Sequence, residues 1–146
     1  MMNFDARYLD EFNQRFVEFR AIEADVVMGK RTENGCGKAF ALLDNMELSY
    51  ASGAYYGCLV LACTAIEASL NHEFGDAGNL KSKIEMSGYG EEIDWLRLLR
   101  NKIIHKNESS IVEYVVDDQQ ESELKELCKL AFIMAHTIYF DPKKPA

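Results

Sequence analysis

The 146-residue chain has almost no proline, and it lacks the cysteine pattern of a zinc or redox protein. Both prolines, Pro142 and Pro145, lie in the last five positions, so no proline interrupts a helix before residue 141. The cysteines form no C-x-x-C pair, and three of the four lie in apolar helical patterns, where a thiol acts as a small hydrophobe. They are Cys36, Cys58, Cys63 and Cys128. This usage, and an N-terminus without the features of a signal peptide, predict a reduced, cytoplasmic protein.

Histidine and positive charge are also scarce. The three histidines, His72, His105 and His136, lie in separate elements without the spacing of metal ligands, so we expect neither metal nor cofactor. The net charge of −8 repels a long phosphate backbone unless positive charge is locally concentrated, which argues against non-specific nucleic-acid binding. Residues 48–66 carry no formal charge, but their serine, glycine and tyrosine content predicts buried helices, so no membrane partner is expected.

Apolar residues recur at helical spacing along most of the chain. The pattern predicts one all-α domain, residues 1–146, built as an up-and-down helical bundle of about five helices. Outside the helices we expect one helical turn around 80–86, an extended connection at 111–116 and a frayed tail at 141–146. The predicted helices span about 3–27, 38–50, 54–74, 91–106 and 119–140.

Two predicted helices carry features that the structure can test. On the first, Tyr8, Phe12, Phe16 and Phe19 share one stripe, which is typical of a core-facing surface. The third is apolar nearly all round, which predicts a central position. Its one charge before His72 is Glu67, and a buried carboxylate is costly unless it is paired.

The richest stretch chemically is residues 96–107, LRLLRNKIIHKN. At 100° per residue, Arg100 falls inside the apolar stripe of this helix, while Asn101 and His105 lie four apart on the neighbouring face. A guanidinium among leucines and isoleucines needs an acidic partner, an interface or a negatively charged ligand. We infer that Glu67 faces Arg100. The alternative, with Glu67 on a partly exposed flank, is nearly as well supported.

The run from Arg100 to His105, RNKIIH, resembles the signature of the HEPN superfamily, an Arg followed after four to six residues by His. Residues 59–70 are similar to the central HEPN helix with its single acidic residue. The resemblance implies a HEPN-like bundle and a metal-independent endoribonuclease acting through the RNA 2′-hydroxyl. His105 would be the acid/base, Arg100 the phosphate clamp, and Asn101 would orient the histidine or bind phosphate. Glu67 would support the site, and Arg97, Lys102 and Lys106 would bind RNA.

The implied partners are an RNA substrate, a second copy of the chain, and an antitoxin or other partner protein. The setting would be a toxin–antitoxin or phage-defence system. Arg100 and His105 lie about 140° apart on the helical wheel, so a straight, isolated helix cannot bring both to one phosphate, and a homodimer would remove this difficulty. The alternative function is a non-catalytic HEPN-like binding or assembly module. In a purely structural alternative, Arg100 pairs with Glu67 and His105 caps a helix end.

Overall fold

A computed structural model describes residues 6–28, 36–104 and 117–144, and these residues form six α-helices and no strand. The predicted all-α class is confirmed. The predictions for residues 3–5, 105–106, 111–116 and 145–146 lie outside the described residues. The helices are α1 (Ala6–Val27), α2 (Gly37–Ala51), α3 (Tyr55–Phe74), α4 (Leu80–Ser87), α5 (Gly90–Ile104) and α6 (Asp118–Phe140).

The short helix α4 extends over two turns where the sequence predicted only one. The Asn79 side chain caps its start by accepting a hydrogen bond from the backbone N–H of Ser82 at 2.8 Å. Gly88 ends it in the left-handed conformation, with φ of 83°. Asn79 and Gly88 are typical helix-capping residues, but the glycines around the segment favoured a connection over a two-turn helix.

Helix α3 lies at the centre of the bundle, as its sequence predicted. It packs against α2, α4, α5 and α6, and its buried side chains point in several directions. Because α3 contacts four neighbours, a charged side chain on its surface has to meet one of them or reach solvent at a gap between them.

Three aromatic rings in contact, one pair stacked and the other tilted, join α1, α2 and α6. The centroid of the Phe19 ring lies 3.9 Å from that of Tyr50 and 4.0 Å from that of Phe132, and all three side chains are fully buried. The Tyr50 hydroxyl donates to the Glu18 carboxylate at 2.6 Å, so the polar end of this ring is satisfied. The cluster therefore links distant parts of the sequence without an unpaired polar atom on Tyr50.

The aromatic stripe of α1 contributes less to the core than the sequence predicted. Phe19 is fully buried, but Phe12 and Phe16 are only partly buried. The buried line of α1 runs instead through Arg15 and Phe19. Arg15 donates from Nε to the carbonyl of Ala51 at 2.9 Å, at the end of α2.

The two ends of α6 are both fixed. Asp117 and Gln120 form a capping box at its start, with hydrogen bonds of 2.8 and 3.0 Å, in agreement with the predicted acidic beginning. After α6, residues 141–144 do not fray as expected. The backbone N–H of Lys144 donates to the Ser87 carbonyl at 2.8 Å, and its ammonium group pairs with Glu92.

We predict that Phe19→Ala lowers the free energy of unfolding by about 3–5 kcal/mol, because it removes the ring shared by α1, α2 and α6. Urea denaturation measures the loss. Val17→Ala, two positions away on the same helix and 65% exposed, is the control and should change the stability by about 0.5 kcal/mol or less. Equal effects of the two substitutions would contradict the packing described here.

Candidate functional site

Arg100 lies on the face of α5 that packs against the core. Ile93 and Leu96, on the same face, are each 1% exposed, and Ile103 packs against the core from one turn further on. The Arg100 side chain is 20% exposed, so the sequence placed it correctly among apolar residues. Ile104 differs from the prediction: it is 55% exposed and contributes little to this face.

Glu67 faces Arg100 across the junction of α3 and α5, as we inferred from the sequence. Nη1 of Arg100 lies 3.0 Å from Oε2 of Glu67. The Glu67 side chain is 38% exposed, so it also lies on a partly exposed flank, and the two sequence interpretations were compatible. The hydrogen bond to Glu67 comes from Nη1, while Nε is buried without a hydrogen-bond partner.

A buried thiol lies beside this ion pair. Cys63 comes one helical turn before Glu67 on α3 and is 2% exposed. Burial raises the pKa of Cys63 to about 11, although Arg100 pulls it in the opposite direction. The group is therefore a neutral thiol near pH 7, and it is not a nucleophile for the site.

Arg97 is engaged within its own helix. Its Nε lies 2.8 Å and its Nη2 3.4 Å from the two carboxylate oxygens of Asp94, and its side chain is 17% exposed. This contact lowers the pKa of Asp94 below its usual value, so the carboxylate stays charged at neutral pH. The positive charge that the sequence assigned to RNA binding is locally neutralised.

Lys102 is not brought next to Arg100. The two positions differ by about 160° around α5, and Lys102 lies over a shallow groove between α5 and α6. The RNA-binding roles assigned to Arg97 and Lys102 stay predictions. The groove is lined by Trp95, Leu98, Leu99, Lys102 and Leu127.

The remaining motif residues are Asn101, which the structure describes, and His105 and Lys106, which it does not. Asn101 is half-buried on α5, about 100° around the helix from Arg100. His105 and Lys106 lie outside the described residues, so the roles assigned to them stay predictions.

The sequence missed the three most deeply buried charged residues. Arg15 is 6% exposed, Glu47 is 4% exposed and Lys83 is 2% exposed. Glu47 pairs with Arg20 at 2.7 Å, whereas Lys83 donates to an amide. Lys83 could have been found, because it lies at helical spacing from Leu80 and Ser87, both of which are buried.

His136 is a core histidine on α6. It is 4% exposed, its Nδ1 lies 3.0 Å from the Phe132 carbonyl oxygen, and burial lowers its pKa below the usual value. In the described ranges, no three histidine, cysteine, aspartate or glutamate side chains are grouped so that they could hold a metal ion.

No protein-family model matches the chain, and comparisons with curated proteins and with solved structures find no match either. Across residues 6–28, 36–104 and 117–144, none of the helices is both long and apolar enough to span a membrane. The function is therefore argued from the motif and from the surroundings of Arg100.

We predict that Glu67→Leu lowers the free energy of unfolding by about 1–3 kcal/mol, because the largely buried Arg100 loses its acceptor. Glu67→Gln should cost less, since its amide oxygen can still accept the hydrogen bond. Glu126→Leu is the matched control: Glu126 pairs with Lys129 at 3.4 Å but is 71% exposed, so its loss should cost about 0.5 kcal/mol or less. If Glu67→Leu were no more harmful than Glu126→Leu, the ion pair would contribute nothing to stability.

Proposed function

We propose that the protein is a metal-independent endoribonuclease of the HEPN type. The observation that carries the proposal is the Arg100–Glu67 pair at the junction of α3 and α5, which holds the motif arginine in one place at the partly exposed edge of the core. An arginine fixed in this way immediately precedes Asn101 and is five residues before His105.

The chemistry needs a base for the 2′-hydroxyl, an acid for the leaving oxygen and positive charge on the phosphoryl oxygens. In the proposed reaction, His105 accepts the proton of the 2′-hydroxyl, whose oxygen then attacks phosphorus. The bond to the 5′-oxygen breaks as that oxygen receives a proton from the protonated His105, leaving a 2′,3′-cyclic phosphate. Histidine, with an unperturbed pKa of about 6.5, can exchange protons near neutral pH.

The arrangement of Arg100 supports the role of a phosphate clamp. A guanidinium has five N–H donors, and Glu67 takes up one terminal nitrogen at 3.0 Å. The other terminal nitrogen is the group that would bind a phosphoryl oxygen. Glu67 would then act as a positioning residue, since it orients Arg100 without contacting RNA.

A non-catalytic HEPN-like binding or assembly module is the second candidate, and the local charge balance favours it. Glu67 balances Arg100, Asp94 balances Arg97, and Lys102 lies on another side of α5. The net charge of the chain is −8. A surface of this kind attracts RNA weakly, so binding to a protein partner would fit it as well.

The active unit that we propose is a homodimer in the cytoplasm, with the two motif helices near the two-fold axis. Each copy would contribute to a shared cleft, where Arg100 of one chain and His105 of the other flank one phosphate. The biological role would be that of a toxin, controlled by an antitoxin or partner protein, or of a phage-defence effector.

We predict cleavage of single-stranded RNA in the presence of a chelator, with a loss of about 10²-fold or more in rate for both His105→Ala and Arg100→Ala. Gel electrophoresis of labelled RNA measures cleavage, and a 2′,3′-cyclic phosphate end identifies the reaction. His72→Ala and Arg7→Ala are controls at exposed positions of the same residue types and should keep the wild-type rate. Unchanged rates in the two motif variants would exclude this mechanism, and an inactive wild type would favour the binding module.

A mixture of the two inactive variants tests the shared cleft. If each phosphate is bound by Arg100 of one chain and His105 of the other, a heterodimer of Arg100→Ala and His105→Ala chains contains one intact site. Half of the molecules in an equal mixture are heterodimers, so about a quarter of the wild-type activity should return after subunit exchange. Sedimentation of the same samples checks the dimer, and a monomer that cleaves RNA would refute the shared site.

A further inference from the structure

A polar cavity of about 350 Å³ lies between the end of α3 and the start of α2. None of its lining residues belongs to the motif helix α5. The volume is within the range that small-molecule sites occupy. The lining residues are Cys36, Lys38, Ala68, Asn71, His72 and Asp76.

A buried lysine fixes the orientation of one lining side chain. Lys83 is 2% exposed, and its ammonium group donates to Oδ1 of Asn71 at 2.5 Å. An ammonium group has donors and no acceptor, so the amide oxygen of Asn71 has to face Lys83. The NH₂ group of Asn71 is then the part of the amide that is left to donate elsewhere.

The positive charge of the buried Lys83 is not balanced by a carboxylate of the described residues. No described carboxylate lies within ion-pair distance of Lys83, and the neutral Asn71 amide is its one hydrogen-bond acceptor. A buried charge is costly unless it is paired. An anion in the cavity would lie one side chain away from Lys83 and would offset part of that cost.

The rest of the lining favours hydrogen-bond acceptors with negative charge. Lys38 lies in the first turn of α2, where backbone N–H groups and the helix dipole also attract anions. His72 adds a ring that can donate a hydrogen bond. Asp76 is the single carboxylate of the lining, and it would accept from a hydroxyl or amine of the same ligand.

We propose that this cavity binds a small organic anion. Its carboxylate or phosphate group meets the NH₂ group of Asn71 and the ammonium group of Lys38, and its hydroxyl or amine group meets Asp76. The proposal stands apart from the ribonuclease mechanism, because it uses no residue of the RNKIIH motif.

Calorimetric titration of the full-length protein tests the site with three probes: inorganic phosphate, acetate and glycolate. Ionic strength is held constant with chloride, so that general screening does not change. We expect saturable binding of at least one probe. Comparing the affinities of phosphate and acetate shows whether the site prefers a phosphate or a carboxylate group. Tighter binding of glycolate than of acetate would support the hydroxyl contact with Asp76.

Asn71→Asp is the sharpest variant, since its carboxylate can still accept from Lys83 but replaces the NH₂ donor with a negative charge. We expect affinity to fall about tenfold or more. Asn45→Asp introduces the same change at an exposed position of α2 outside the cavity and should alter affinity by about twofold or less. A second pair of variants does not depend on Asn71. Lys38→Gln removes the ammonium group of the lining, and Lys81→Gln is its control; both positions are exposed. No saturable binding, or equal affinities within both pairs, would overturn the proposal.

Discussion

The burial of α3 is the constraint on which the rest of the structure depends. The helix contacts four others and offers apolar side chains to each of them. A carboxylate on such a helix is stable only where a cation meets it or where solvent reaches it, and Glu67 has both. The position of α5 follows from this, because α5 is the helix that brings Arg100 to Glu67 while it buries Ile93 and Leu96.

This arrangement gives α5 two faces with different properties. One face carries Arg100 in an apolar line against α3, and its charge is balanced. The other carries Trp95 and Leu98 over the groove with α6, with Lys102 at the same groove. Substitutions on the two faces should therefore have separable effects. Those on the face of Arg100 should change the orientation of its guanidinium, and those on the groove face should change contacts with α6 or with another molecule.

The sequence predicted the fold class and most helix boundaries, because apolar spacing is a strong local signal over long helices. It also predicted the Arg100–Glu67 contact, since the two charges stood out within apolar patterns. It missed the burial of Arg15 and Lys83, whose hydrogen bonds go to a backbone carbonyl and to an amide, although Arg15 also lies 3.8 Å from the Glu11 carboxylate one turn earlier. Lys102 and Arg100 lie about 160° apart around α5, since neighbours in sequence can lie on opposite sides of a helix.

The acidic net charge and the proposed cleavage of RNA can be reconciled by the geometry of one guanidinium. If phosphate had to displace Glu67, binding would cost the ion pair and leave a partly buried carboxylate without its cation. The hydrogen bond to Glu67 comes from Nη1, so a phosphoryl oxygen could approach the other terminal nitrogen while Glu67 stays in place. Arg100 would then bind both groups at once, and the affinity for RNA would come from few contacts. Such binding should depend weakly on salt, because few phosphate charges would be neutralised. The weak salt dependence would distinguish this site from a surface that binds RNA through many exposed lysines.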